Sequence, residues 1–276
     1  MKKIRDLFSK KNSEVFIIAE IGSNHCNNIN IAKKLIKISK TAGADAVKFQ
    51  SYRASSLYSK YVPRKVLQNG KKGPDIFKMI ESIQMPYDWH LKLKKYCDKI
   101  GIIFISSPFD EEALISLEKV NCPIYKIASS EIGDIHLVTK IAETKKPIII
   151  STGKATLQEV KRAIKWIEKT GNKKIIILHC TATYPASYSS MNLNNILTLK
   201  KNFNYKVGLS DHNTENLTAA IAVALGAKVI EKHITLDKKY KGPDHHFALE
   251  PSGLFNLINS VRKSEQALGS FTKDID

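Results

Sequence analysis

Short apolar runs alternate with longer segments of helical periodicity along almost the whole chain. The apolar runs have the length of buried strands, and they predict strands at residues 15–21, 44–50, 101–107, 123–128, 147–152, 174–180, 206–211 and 228–233. Helical patterns follow at residues 31–42, 86–100, 111–120, 135–144, 157–170, 193–201, 215–225 and 253–268. Eight strands that are each followed by a helix predict an α/β fold, the (β/α)₈ TIM barrel.

The chain is predicted to be one domain. Its 276 residues suit a (β/α)₈ barrel, which usually needs roughly 250. We predict a charged cap below the barrel at residues 1–14, the barrel at 15–270 and a tail at 271–276. The connection from Ser51 to Met85 is long and rich in Tyr, Lys and Gly, and long loops after barrel strands are often lids or binding loops.

The strongly basic composition raises the possibility of nucleic-acid binding. The net charge is +18, because 44 Lys and Arg outnumber 26 Asp and Glu. Only five of the basic residues are Arg, however, and the lysines are spread over helical patterns as solvated faces. A nucleic-acid-binding role would predict a steep salt dependence. The distribution favours the alternative, a basic surface that steers an anionic small substrate.

Targeting and redox features indicate a cytoplasmic protein. No apolar run reaches the roughly 18 residues of a membrane span, and the N-terminus lacks the apolar region of a secretory signal. The four cysteines form no CxxC pair, so we expect free thiols rather than a disulfide framework.

Two of the predicted strands lead directly to a histidine. His212 follows the strand at residues 206–211, and His233 ends the strand at 228–233. If the two strands are parallel neighbours, roughly 4.8 Å apart, their imidazoles offer two nitrogen ligands to a catalytic metal with open positions. A lone histidine at a strand end is more often structural. The period of two also pairs Ser210 with His212 and Glu231 with His233.

Lysines, hydroxyls and carboxylates gather at the ends of the other predicted strands, where barrel enzymes carry their reactive groups. Phosphate and carboxylate groups suit a cradle of ammonium and hydroxyl donors, which here are Lys48, Lys126, Ser107, Ser129 and Ser151. Glu20 and Glu131 are then available for proton transfers. The structural alternative is that the two glutamates neutralise the two lysines inside the barrel mouth, since buried charge is normally paired.

Eight collinear motifs resemble the N-acetylneuraminate (sialic acid) synthase family. They lie at residues 18–25, 43–50, 107–110, 126–129, 151–153, 208–212, 231–233 and 242–245. The resemblance implies a (β/α)₈ barrel that condenses phosphoenolpyruvate with an open-chain N-acetylhexosamine, typically N-acetylmannosamine. The implied products are a nine-carbon 2-keto sugar acid and phosphate.

The resemblance also implies roles for particular residues and a homodimer. A divalent ion, Mn²⁺ or Mg²⁺, is expected on His212 and His233. Phosphoenolpyruvate is expected to be bound by Lys48, Ser107, Lys126, Ser129, Ser151 and Ser210. The sugar is expected to contact Gln50, Tyr184 and Asp244, and the catalytic carboxylates are expected to be Glu20 and Glu131.

Three departures from the family pattern leave the sugar open. Cys26 stands where the family commonly has glycine, and Thr183 stands where asparagine is frequent. We also expect the chain to lack the family's usual C-terminal antifreeze-like domain, which in the family contributes an arginine to the sugar site. Legionaminate and pseudaminate synthases therefore remain alternatives with the same chemistry. A weakly active barrel subunit that needs a partner chain is a further alternative.

Overall fold

The chain folds into a closed barrel of eight parallel strands, which confirms the predicted (β/α)₈ fold. A computed structural model describes residues 2–9, 14–61, 65–68 and 71–269. The barrel order is β1-β10-β9-β8-β7-β6-β5-β2, and β3 and β4 form a separate antiparallel pair. The strands are β1 Phe16–Gly22, β2 Ala46–Ser51, β3 Lys65–Gln68, β4 Lys71–Asp75, β5 Ile103–Pro108, β6 Tyr125–Ile127, β7 Ile148–Ser151, β8 Ile175–Cys180, β9 Lys206–Asp211 and β10 Val229–His233.

Helices follow the barrel strands, and several of them begin at a residue whose side chain caps the helix. The Asn28 side chain accepts hydrogen bonds from the backbone N–H groups of Asn30 and Ile31, and Thr156 forms a capping box with Glu159. The helices are α1 Lys2–Phe8, α2 Ile29–Ala42, α3 Ala54–Leu57, α4 Ile76–Ile83, α5 Trp89–Ile100, α6 Glu111–Lys119, α7 Ile135–Glu143, α8 Leu157–Lys169, α9 Tyr188–Met191, α10 Asn195–Asn202, α11 Leu217–Ala224 and α12 Pro251–Leu268.

The hydrophobic core has an inner and an outer part. The inner cluster fills the barrel from strand residues such as Phe16, Ile149 and Val229, and Leu7 of α1 joins it. Helix α1 thus lies against the N-terminal end of the barrel, where Lys206 Nζ donates to the Leu7 carbonyl at 2.7 Å. The larger outer cluster packs the helices against the sheet. The predicted tail at residues 271–276 lies outside the described residues.

The long connection after β2 carries short elements of its own. Its described parts include α3, the β3–β4 pair and α4, while residues 62–64 and 69–70 lie outside the described residues. The N-cap of α4 is Asp75, whose carboxylate accepts hydrogen bonds from the backbone N–H groups of Phe77 and Lys78. In the described part of the chain, no helix combines the length and the apolar character that crossing a membrane requires.

Gly208 gives a test of how tightly the barrel interior is packed. A β-carbon on Gly208 would lie 2.7 Å from Leu178 Cδ2 and closer still to the Val229 carbonyl oxygen. We expect Gly208→Ala to lower the free energy of unfolding by about 1–3 kcal/mol, because backbone on the neighbouring strand must move. Chemical denaturation followed by circular dichroism measures this loss.

Gly133→Ala is the matched control for this substitution. A β-carbon on Gly133 meets no atom within 4 Å, so the control should change stability by less than about 0.5 kcal/mol. Equal stability of the Gly208 variant and the control would contradict the close packing of β8, β9 and β10.

Candidate active site

The strand register places five functional side chains next to one another at the C-terminal mouth of the barrel. Glu20 on β1 is aligned with Lys48 on β2 and, on its other side, with His233 on β10. Glu231 on β10 is aligned with Ser210 on β9. The sequence positions these groups through strand pairing alone, so the geometry of the mouth is fixed by the rigid part of the fold.

Buried charges of alternating sign form the centre of the mouth. Lys48 Nζ lies 2.9 Å from Glu20 Oε2 and 3.5 Å from Glu231 Oε1. Lys126 Nζ lies 3.6 Å from the same Glu231 oxygen. Each of the four side chains is at most 4% exposed. We call Glu20, Lys48, Glu231 and Lys126 the charge cluster, and each of its members depends on the others to offset the cost of burial.

The two carboxylates of the charge cluster differ in acidity. Burial raises the pKa of Glu20, and the opposing effect of Lys48 does not cancel the increase. Burial also acts to raise the pKa of Glu231, but Lys126 and Lys48 outweigh it and hold that pKa below its ordinary value. Two neighbouring carboxylates with opposite shifts are suited to different roles. Glu231 is suited to remain an anion, and Glu20 is suited to exchange a proton.

Uncharged neighbours hold the charge cluster in place. Gln50 Nε2 donates to Glu20 Oε1 at 2.9 Å, and Ser210 Oγ donates to Glu231 Oε1 at 3.1 Å. Gly22 allows the close approach of Glu20 and Gln50, because a β-carbon there would lie 3.1 and 3.2 Å from their side-chain atoms. Its φ of +53° also lies in the left-handed region that favours glycine.

The three predicted phosphate-binding serines occupy different surroundings. Ser107 Oγ accepts from Lys48 Nζ at 3.4 Å, and Ser129 Oγ accepts from the Gly153 backbone N–H at 2.9 Å. The hydroxyl of Ser151 is buried and has no hydrogen-bond partner among the described residues. A buried hydroxyl without a partner is unusual in a folded protein, and it is available to a ligand.

The two histidines lie next to each other at the mouth. Their ring centroids are 5.4 Å apart, with the ring planes inclined by 62°. His212 Nδ1 donates to the Thr181 carbonyl at 2.8 Å, which makes Nε2 the nitrogen that can act as a ligand when the ring is neutral. His233 Nδ1 is buried without a hydrogen-bond partner, 3.7 Å from Asp244 Oδ2. Burial, reinforced by His212 and Lys48, lowers the pKa of His233 well below its usual range, so this imidazole is neutral.

These properties fit a pair of nitrogen ligands rather than a complete metal cage. In residues 2–9, 14–61, 65–68 and 71–269, no three His, Cys, Asp or Glu side chains are arranged to hold a metal ion. A pair of imidazoles would leave most coordination positions to substrate and water, as a catalytic ion requires.

Aromatic rings and one carboxyl group complete the rim. The Tyr184 ring lies 4.2 Å from the His212 ring, and the Phe247 ring lies 5.0 Å from the His233 ring. Phe247 was not anticipated from the sequence, because it lies in a loop where no periodic pattern marks it. Burial raises the pKa of Asp244 from 3.8 to about 6, against the opposing effects of His212 and His246.

Glu231, rather than Glu131, is the carboxylate that lies next to Lys126 in the charge cluster. The groups that act on Glu131 are Ser130, Asp134 and Lys154, all outside the charge cluster. The carboxylate next to Lys126 is Glu231. The structural alternative is thus confirmed for Lys48 and Glu20, but the pairing of Lys126 with Glu131 is wrong. A catalytic role for Glu131 stays a prediction. The sequence did contain a signal for Glu231, because the period of two places its side chain on the same face of the strand as that of His233.

The described site and fold can be compared with known proteins. A family model described as the NeuB family matches residues 35–273. The chain belongs to this family. This confirms the resemblance that the eight motifs carried.

Three relatives of this NeuB-family chain show the range of named activities. The pseudaminic acid synthase of Campylobacter jejuni is 40% identical over 268 residues, covering 95% of this chain and 77% of the relative. The N,N'-diacetyllegionaminic acid synthase of Legionella pneumophila is 39% identical over 264 residues, covering 94% and 74%. The solved N-acetylneuraminic acid (sialic acid) synthetase of Leptospira borgpetersenii, in complex with citrate, has a TM-score of 0.86 at 31% identity, covering 95% and 88%. The function is therefore of the sialic, pseudaminic or legionaminic acid synthase type.

The pKa of Asp244 gives a stability test for this NeuB-family site. A folded-state pKa of about 6, above the ordinary 3.8, means that the folded protein loses stability as pH rises through this interval. We expect Asp244→Asn to gain about 2–3 kcal/mol relative to the parent between about pH 4 and about pH 7. Urea unfolding of both proteins across this range measures the difference. A difference that does not change with pH would contradict the burial of an ionisable group at this position.

Proposed function

We propose that the chain condenses phosphoenolpyruvate with an open-chain N-acetylhexosamine to give a nine-carbon 2-keto sugar acid and phosphate. The observation that carries the proposal is the charge cluster beside the unpartnered hydroxyl of Ser151, at the mouth of a NeuB-family barrel. A compact trianion needs ammonium and hydroxyl donors in a buried setting, and these donors are already ordered.

Phosphoenolpyruvate is assigned to the lysine side of the mouth. Its phosphate and carboxylate groups compete with Glu20 and Glu231 for the ammonium groups of Lys48 and Lys126. Hydroxyl donors around these lysines supply the remaining hydrogen bonds, and they come from Ser107, Ser129, Ser151 and Ser210. The depressed pKa of Glu231 keeps it anionic, so it holds both lysines in place before the substrate arrives.

The reaction joins two carbons and breaks one carbon–oxygen bond. C3 of phosphoenolpyruvate attacks the aldehyde carbon of the sugar, the aldehyde oxygen gains a proton, and positive charge develops at C2. Water adds at C2 and loses one proton, which balances the proton gained by the aldehyde oxygen. The C2–O bond to the phosphate group then breaks, the new C2 hydroxyl gives up its proton to the departing phosphate, and C2 becomes the ketone. Glu20 is the group we assign to proton exchange, because burial raises its pKa and Gln50 fixes its orientation.

We assign a divalent cation, Mn²⁺ or Mg²⁺, to His212 and His233. Support comes from the buried, unpartnered Nδ1 of His233 and from the hydrogen bond that leaves Nε2 of His212 free. When bound, such a cation supplies Lewis acidity toward the carbonyl oxygen of the sugar. The neutral state of His233 suits it to this role without proton release.

The sugar is assigned to Gln50, Tyr184 and Asp244 on the remaining side of the mouth. The Tyr184 side chain is 47% exposed, so it is accessible to a ligand at the mouth. N-acetylmannosamine and the corresponding sugar precursors of pseudaminic and legionaminic acids are the candidate sugars, since relatives with each named activity are between 31% and 40% identical to this chain. A homodimer, a cytoplasmic location and a need for a partner chain remain predictions.

A product assay tests the proposed function. The purified chain is incubated with phosphoenolpyruvate, Mn²⁺ and each of several N-acetylated hexosamines, and products are identified by mass spectrometry. We expect phosphate release and a nine-carbon keto acid with one sugar of the panel. Lys126→Ala should raise the KM for phosphoenolpyruvate more than the KM for the sugar. Phosphate release without a condensation product, or with every sugar alike, would argue against a sugar acid synthase.

Removal of divalent cations tests the assignment of the two histidines. Chelation should abolish turnover and Mn²⁺ should restore it. His233→Ala should lower kcat/KM at least about a hundredfold, since a Lewis acid contributes several kcal/mol and 1.4 kcal/mol corresponds to a tenfold change. His136→Ala, at an exposed histidine of α7, is the control and should retain activity. Full turnover in the presence of chelator would exclude the assigned cation.

A further inference from the structure

A buried ion pair lies directly behind the two histidines. Lys232 precedes His233 on β10, Asp211 precedes His212 on β9, and the strand register aligns Lys232 with Asp211. Lys232 Nζ donates to Asp211 Oδ2 at 2.7 Å, and both residues are 1% exposed. Asp211 also accepts from Thr218 Oγ1 on α11 at 2.7 Å, so the pair lies between the sheet and that helix.

The ammonium group of Lys232 also binds the backbone that follows His212. It donates to the carbonyl oxygen of Asn213 and, at 2.9 Å, to that of Glu215. The Asn213 N–H in turn donates to Asp211 Oδ1 at 2.9 Å. The ion pair therefore holds the chain immediately before and immediately after His212.

The same backbone segment is tied to the loop that follows β8. Asn213 Nδ2 donates to the Ala186 carbonyl at 2.8 Å, and the Ala186 N–H donates to the His212 carbonyl at 3.0 Å. Together with the bond from His212 Nδ1 to Thr181, these contacts fix both the backbone and the ring of His212.

We propose that Lys232 and Asp211 are positioning residues that set the position and ring orientation of His212 relative to His233. The inference rests on the proposed function, because it concerns the residues assigned there to the divalent cation. A buried lysine is a costly way to fill space, and an apolar side chain of similar length would pack there without the cost of desolvation. A methionine, however, could not donate the three hydrogen bonds that Lys232 makes to the residues before and after His212.

Groups behind metal ligands have a measurable effect on metal affinity. Loss of a residue that orients a ligand typically weakens binding 10- to 100-fold even though the ligands remain. The proposal therefore predicts a loss of this size for Lys232→Met. A residue that only stabilises the fold would leave the affinity of the folded molecules unchanged.

The experiment compares the parent with three variants. Lys232→Met removes the ammonium group, and Asp211→Asn/Lys232→Met removes both charges, so that no uncompensated charge is left if the single variant fails to fold. Lys206→Met is the matched control, since Lys206 is a half-buried lysine at the opposite end of β9 that donates to the Leu7 carbonyl. Thermal unfolding confirms that each protein is folded before measurement.

Two readouts are taken from the full chain without substrates. Mn²⁺ affinity is measured by calorimetry, and the tautomer of His212 is measured from imidazole nitrogen resonances of the metal-free protein, assigned with His212→Gln. We expect 10- to 100-fold weaker Mn²⁺ binding in both Lys232 variants and less than about a twofold change in the control. The nitrogen chemical shifts of His212 should indicate one tautomer in the parent and a mixture of both tautomers in the Lys232 variants.

Each outcome separates this inference from the proposed function. Parent-like Mn²⁺ affinity in a folded Lys232 variant, or an equal loss in the Lys206 control, would overturn the positioning role. If the parent itself binds no Mn²⁺, the assigned cation is wrong, and the tautomer measurement alone decides. In that case unchanged His212 resonances in the Lys232 variants overturn the inference, and averaged resonances support it.

Discussion

The pairing of buried charges at the barrel mouth is the constraint on which the rest of the site depends. Neither Lys48 nor Lys126 could be buried there as a cation without Glu20 and Glu231 beside it, because an isolated charge in such surroundings is far less stable than in water. The pairs form only if the four strands that carry these residues keep their register within one residue. The closed barrel supplies that register, which explains why these four charged groups lie on strands rather than on loops.

The same pairing divides the mouth into two chemically different halves. On one side the lysines are kept in place by the Glu231 anion, and on the other the imidazole of His233 is kept neutral by burial and by neighbouring positive charge. An anionic reactant and a carbonyl reactant would thus meet different environments a few ångströms apart. This arrangement is preorganised, since hydrogen bonds to Gln50 and Ser210 already fix the carboxylates.

The fold could be predicted from the sequence because hydrophobic periodicity reports burial directly, and all eight barrel strands were found within two residues or so of their ends. Position around the barrel axis is harder to predict. Glu131 lies in a turn beyond the short strand β6, whereas Glu231 lies inside β10 and faces the mouth. The predicted strand at residues 228–233 already includes Glu231, whereas Glu131 lies beyond the predicted strand at 123–128, so the predicted boundaries were enough to separate the two carboxylates. Phe247 and the bonds of Lys232 depend on three-dimensional contacts that no local pattern encodes.

The loop after β8 has a consequence for redesign of this barrel. It carries Tyr184, which is proposed to contact the sugar, and its Thr181 carbonyl and Ala186 N–H also support the ring and backbone of His212. Exchanging this loop to admit a bulkier sugar would therefore also shift the His212 imidazole, whose ring lies 4.2 Å from the Tyr184 ring. Under the proposed function, a change of sugar selectivity would then also change catalytic power, unless the substitution alters only the Tyr184 side chain and leaves the loop backbone in place.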